Sequence, residues 1–395
     1  MHRWSRTEPR APRLDVVAAA TASVERLVEG RSIAGKLVAV GVGSRGLPEH
    51  ARLVRTVVDA LRGRGARPLI VAAMGSHGGD ADGQRALLER DGITEATMGV
   101  PLDFALQSQP IGTTPGGVAL RWSAAALRCD LTLIVNRVAL HPNLSSALQS
   151  GLTKMSVIGL GKTDGAAAMH AAGVSANLAA AGEHVRARTN FIGGVAMVCD
   201  GDGAPERVVG VRAEELPDAE LALLERARAL RFGLPLPELD VLVVDWFGKN
   251  VSPTGIDRRL VGRGVGPDPV KVSAIVALGL TPESRGNGLG VGFAEAVTAR
   301  VVGAIDAEQM RFNMEASGDV EACTIGRVFE SDAAAVDWAI AEFGPRVARL
   351  ESTAKLRHVL CAEGLEPAGL ARGERVEWGF DDAGWLDRAA PWSGN

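Results

Sequence analysis

The sequence predicts an α/β chain of two lobes, each built on a mostly parallel sheet flanked by helices. Three features lead there. Short apolar, β-branched runs recur along the 395 residues; stretches with apolar residues at helical spacing separate them; and a proline-containing stretch, Phe232 to Leu239, divides the series into a longer and a shorter part. A strand covered on both faces reads as an unbroken apolar run, which is the mark of parallel sheet.

Met1 to Arg13 is a basic arm entering an amphipathic helix, because the apolar run Val16 to Ala20 is short and gives way to Glu25, Arg26 and Glu29. The first strand is expected over Lys36–Gly43. A helix follows over Pro48–Leu61, with Pro48 in its first turn and Leu53, Val54, Val57, Val58 and Leu61 on one face. Pro68–Met74 is the next strand, Gly83–Arg90 a helix, Leu131–Val138 and Gly194–Cys199 strands, and Ala219–Leu230 a helix. Past the dividing stretch, Val241–Trp246 and Val272–Leu278 read as strands. These assignments give domains at 1–235 and 236–395, with a loose, polar terminus from about Trp385.

Composition narrows the function. With 43 basic against 47 acidic side chains the net charge is −4, without the basic excess of a nucleic-acid or membrane-surface binder. No run of 18 uncharged apolar residues occurs, so no membrane span is expected. The four cysteines, Cys129, Cys199, Cys323 and Cys361, form no CxxC pair; they fit a reducing, cytoplasmic setting and give no zinc signature. The chain has no tyrosine, which excludes any reaction needing a phenol, and only six of its basic residues are lysines.

In open α/β sheets, ligands gather at the carboxyl ends of the strands, and three such ends are unusual here. Gly43-Ser44-Arg45-Gly46 offers backbone N–H groups and an arginine fork to an anion, or is a turn with a surface arginine. Met74-Gly75-Ser76-His77-Gly78-Gly79 sets a histidine in a glycine collar, as a proton-transfer group or a structural one. The third end is the richest: His141 follows Asn136-Arg137-Val138, and then come Ser150-Gly151-Leu152-Thr153-Lys154-Met155, Gly159-Leu160-Gly161-Lys162 and His170. No P-loop is present, and the letters GxGxxG at Gly41-Val42-Gly43-Ser44-Arg45-Gly46 begin within the expected strand Lys36–Gly43 and not after it, so they make no dinucleotide fingerprint. The remaining histidines, His2, His50, His184 and His358, read as surface residues. The residues by themselves describe an anion- or nucleotide-binding α/β enzyme.

The order of these pieces resembles the nickel-pincer-nucleotide-dependent lactate racemase family, in the branch with GSRG and AMGSHGG loops. The likeness runs from about residue 36 to 345, takes in Leu280-Thr281-Pro282-Glu283-Ser284-Arg285-Gly286-Asn287, and is most specific in the interval from Lys154 to His170. It implies a nickel-bearing pyridinium mononucleotide tethered covalently to Lys154, with His170 as the nickel ligand. His77 and His141 become the paired acid/base residues and Arg45 the substrate-carboxylate anchor. Ser44, Gly151 and Gly161 are implied in cofactor binding, and Lys249 in substrate binding; a solvent-exposed loop lysine is the other reading of Lys249. The active site would lie in the cleft between the lobes, with the second lobe closing over the substrate.

Racemising a 2-hydroxy acid requires a planar keto acid that can be reduced again from either face, and two imidazoles on separate loops suit that task. One imidazole beside soft donors suits square-planar nickel. The implied partners are a small 2-hydroxy acid and the cofactor-maturation enzymes. Two departures from the family surround the substrate: Val42 replaces an acidic residue three positions before Arg45, and no tyrosine serves the second lobe. The resemblance therefore implies a 2-hydroxy acid without specifying lactate. Two other readings are a hydroxyacid/ketoacid transhydrogenase with the same cofactor and a non-catalytic anion-binding protein on the same scaffold.

Overall fold

A computed structural model of the chain describes residues 1–8, 12–44, 47–264 and 270–392. The chain divides into two units, Ala11–Arg231 and Met1–Arg10 with Phe232–Asn395. The division falls at Arg231/Phe232, close to the expected 235/236. The first residues differ from expectation: they belong to the second unit. The cause is a strand, β1 (His2–Arg6), which pairs antiparallel with two strands of that unit's sheet.

In the unit Ala11–Arg231, six strands form one sheet: β2 (Leu37–Val42), β3 (Arg67–Ala72), β4 (Leu102–Asp103), β7 (Leu131–Arg137), β8 (Phe191–Cys199) and β9 (Pro205–Arg212). A separate hairpin joins β5 (Ser108–Thr113) to β6 (Ala119–Ser123). The sheet order is β4-β3-β2-β7-β8-β9, parallel except at β9. Val38, Val40 and Val42 are buried on one face of β2 and Ala39 on the other, the two-sided burial that their unbroken apolar run encodes.

The helix His50–Gly63 buries Leu53, Val54, Val57, Val58 and Leu61 completely against this sheet. Each such side chain is worth about 1.5–3 kcal/mol of burial. It starts two residues later than Pro48, since Glu49 takes a left-handed backbone at φ 53°. Asp15 and Asp80 cap the helices Val16–Val28 and Ala81–Arg90 by accepting from Ala18 N and Gly83 N.

The other unit carries β10 (Glu238–Val244), β11 (Lys271–Ala277), β12 (Ala296–Thr298), β13 (Arg327–Phe329), β14 (Val347–Leu350), β15 (His358–Cys361) and β16 (Leu370–Arg375). Its sheet order is β13-β12-β11-β10-β14-β15-β1-β16, parallel from β13 to β14 and antiparallel beyond. The described residues after Trp385 are held in place, which corrects the expectation of a loose stretch from there: Leu386 is buried, its N–H donates to Asp332, and the Trp392 indole donates to Asp245 at 2.8 Å.

The four cysteines are free. Among the described residues no helix is long and apolar enough to cross a membrane.

Candidate functional site

Strand β2 lies between β3 and β7, and the chain reaches β3 first and β7 only later. The crevice between β2 and β7 is therefore a topological switch point, where crossover connections leave in opposite directions and open a gap at the carboxyl edge. Each of these three neighbouring strands delivers a sequence-predicted residue to that edge. Ser44 lies just past β2, His77 past β3, and His141 past β7. Arg45 lies outside the described residues.

Ser44 and His77, 33 positions apart in sequence, are joined by a hydrogen bond of 2.6 Å between Oγ and Nδ1. Ser44 is buried and His77 half-buried. A hydroxyl can give a proton to Nδ1 or accept one from it, so the pair fixes the ring in either tautomer. The histidine turn is fastened from beneath, since Gly75 N donates to Gly159 O at 3.1 Å and His77 N to Met74 O at 3.0 Å. Gly75 is left-handed, at φ 58°, and a Cβ there would stand 3.1 Å from Ile158 O and 3.2 Å from Ala166 Cβ, so both backbone and space favour glycine.

His141 sits on a loop closed at its base by Ala139 and Ser150, each N–H donating to the other's carbonyl. Its own N–H donates to Gln149 Oε1 at 2.6 Å, while its Nδ1 accepts from Asn143 N at 3.2 Å. An accepting Nδ1 places the proton of the neutral ring on Nε2.

Directly after Ser150 comes a helical turn, Leu152–Lys154, continued by a π-helical turn, Met155–Gly159, and, past Leu160 and Gly161, by the helix Lys162–Ala172. Lys154 and His170 flank this run, and the charge of the first acts on the second. His170 is held below its usual pKa, first by partial burial and second by the Lys154 ammonium. It is thus neutral at pH 7, as metal ligation requires.

The glycines flanking Lys154 have packing reasons of their own. A Cβ on Gly151 would fall 1.8 Å from Glu220 Oε1, and one on Gly161 2.3 Å from Val157 O. Met155 Sδ lies 2.3 Å from where a Gly159 Cβ would stand, and its methyl 2.8 Å from a Cβ on Gly43. Glu220, on the helix Asp218–Leu230, is wholly buried and accepts from Thr153 N at 2.9 Å and from the Thr153 hydroxyl. Burial pushes its pKa up against those bonds. Glu220 belongs to no motif, so the sequence offers no way to connect it to Lys154. It fills the space beside Gly151 and takes the Thr153 N–H that an anion would otherwise receive.

Lys249 belongs to the other unit, where its Nζ donates to Pro253 O at 2.6 Å and its backbone N–H to Ser284 Oγ at 2.9 Å. Three of the histidines read as surface residues have partners instead. His50 is buried, with Nδ1 3.0 Å from Asp91; His184 Nε2 lies 3.0 Å from Ile111 O, and His358 Nδ1 2.8 Å from Ser5 Oγ. Among the described residues no three His, Cys, Asp or Glu side chains converge as a metal set.

A solved structure shares this fold. The lactate racemase apoprotein from Thermoanaerobacterium thermosaccharolyticum matches with a TM-score of 0.53 and 12% identity, covering 87% of this chain and 87% of its own. At that identity the likeness is one of fold. No protein-family model and no curated protein sequence matches the chain.

Proposed function

We propose that the chain is a racemase or epimerase of a 2-hydroxy acid, built on the plan of the nickel-pincer-nucleotide lactate racemases. The observation that supports this reading is the tie between the two sequence-predicted loops, in which Gly75 N of the His77 turn donates to Gly159 O of the segment carrying Lys154, with the Lys154 ammonium acting on the His170 imidazole. The residues fit the cofactor. Lys154 is a half-buried amine suited to a covalent tether, and His170 is a neutral imidazole that supplies one donor to nickel. When bound, the group supplies a hydride acceptor and donor.

Everything else falls to the chain. His77 and His141 take the hydroxyl proton from one enantiomer and return it to the other, a role suited to imidazoles near their pKa. Ser44 holds the His77 ring in place while its protonation changes. Arg45 pairs with the substrate carboxylate, for which a planar guanidinium is well shaped.

The test is the intact mass of protein produced together with the cofactor-making enzymes, followed by peptide mapping. The adduct is expected on the peptide carrying Lys154, with nickel lost in His170→Ala and retained in His77→Ala. An unmodified Lys154 peptide overturns the reading. Single enantiomers then separate the chemistry: inversion with no added keto acid marks a racemase, and conversion only with a second keto acid marks a transhydrogenase.

A further inference from the structure

Lys162 is a side chain the reaction above does not use. It is wholly buried, and its Nζ donates to Ala72 O at 2.7 Å. Its backbone is left-handed, at φ 56°, although it is neither glycine nor asparagine. It is also the first residue of the helix Lys162–Ala172, where a cation opposes the helix dipole. Burial draws its pKa down to about 8, with Asp103 pulling the other way. A desolvated amine, a left-handed backbone and an unfavourable helix end each work against folding. An apolar side chain of similar length would avoid the first and the third.

What the lysine does connect is specific. Ala72 ends β3, five residues before His77, and the helix that Lys162 begins carries His170. Two further contacts lie along the same seam. Gly75 N bonds Gly159 O, and the space beside Gly75 is closed by Ala166, whose Cβ lies 3.2 Å from where a Gly75 Cβ would stand. The Lys162–Ala72 bond is the one made by a side chain long enough to span from the helix to the sheet.

We propose that Lys162 is a positioning residue, whose bond to the Ala72 carbonyl registers the His77-bearing strand end against the helix that carries His170. The roles of His77 and His170 rest on the function proposed above; the registration does not.

Lys162→Met keeps the volume and removes the bond. In the full chain it is expected to melt at a higher temperature than wild type, because a buried amine is gone. With 15N-labelled histidine, and His77 assigned through His77→Gln, its imidazole resonances and titration are expected to move by half a pH unit or more. Those of His50, whose partner Asp91 is elsewhere, stay in place. Lys162→Arg, which keeps a long donor, is expected to return the His77 signals toward wild type. In cofactor-loaded protein, Lys162→Met is expected to lose at least tenfold in turnover with the Lys154 adduct intact. An unchanged His77 titration overturns the proposal. So does a Lys162→Met chain that melts lower or fails to fold, since the lysine would then serve the fold itself. A wild-type protein without racemase activity would remove the proposed function and leave the His77 readout standing.

Discussion

The two sheets share one connectivity and use it in opposite ways. In each, the first parallel strand lies between the strand that follows it and a much later one: β2 between β3 and β7, β10 between β11 and β14. Both therefore have a switch point at the carboxyl edge. In the second unit that edge is sealed. Asp245, just after β10, makes a two-pronged ion pair at 2.8 and 2.9 Å with Arg349 of β14, and both are wholly buried. Trp392 donates to the same carboxylate, and Arg388 stands 4.6 Å over the Trp246 ring, filling the space beside Gly279. In the first unit the matching edge carries His77 on a glycine-bearing turn, His141 on a loop of its own and a buried lysine bonded to the end of β3. One switch point has its charges matched; the other keeps titratable groups in loops. Where a fold offers the same crevice twice, the crevice left with titratable groups is the one to examine for chemistry.

The strongest way to break this contrast is His77→Gln. It is expected to lower turnover by about 10²–10⁴, the usual worth of a general acid/base, while the mass added at Lys154 persists; unchanged racemisation would end the assignment. Next in size is the sealed edge. Arg349→Met strands the Asp245 carboxylate and is expected to cost about 3–5 kcal/mol in urea unfolding. The double change Arg349→Met with Asp245→Leu should recover most of that loss, and cofactor loading of the folded fraction should be untouched by either. A mild single-variant effect would mean that the pair is not what closes this edge.

A third measurement concerns Lys162 and pH. Its folded value of about 8 lies below the ordinary 10.5, so between those limits the unfolded chain keeps a proton that the folded one has released. Stability therefore rises with pH across that window, by about 3 kcal/mol relative to Lys162→Met. Below pH 8 both states are protonated and the full penalty of the buried charge is present. Parallel stability curves for the two proteins would contradict this. The smallest effect is expected from Ser44→Ala: about 1 kcal/mol of hydrogen bonding, read as a displaced His77 titration with the fold intact.

The central strands are legible because a parallel strand buried on both faces carries an apolar run, and each of β2, β3, β7, β8, β10 and β11 has one at its centre or carboxyl half, such as Leu133-Ile134-Val135 of β7 and Val241-Leu242-Val243-Val244 of β10. The outer strands were not. β1, His-Arg-Trp-Ser-Arg, and β16, Leu-Ala-Arg-Gly-Glu-Arg, lack any apolar run, and β1 owes its place to partners more than 350 residues away, such as His358 opposite Ser5. At the site, the glycine-collared turns were visible, whereas the bond between Ser44 and His77 joins loops of two different strands and leaves no local pattern. Lys162 stands out in the sequence as one of six lysines, beside Gly159 and Gly161, but lysine is almost never fully buried, so its place inside the protein has no counterpart there.

The π-helical turn at Met155–Gly159 has a consequence for how such a chain can change in length. There Leu160 N donates to Met155 O, five residues back, so the turn holds one residue more than an α-helix would. Deleting one residue within it would restore ordinary helical bonding there. It would also shorten the path between Lys154 and His170 by one residue, in a turn whose Gly159 O accepts from Gly75 N and whose Met155 packs against Gly43. A single-codon deletion here would thus change the spacing of the two residues without altering either of them, a difference that an inventory of retained side chains would overlook.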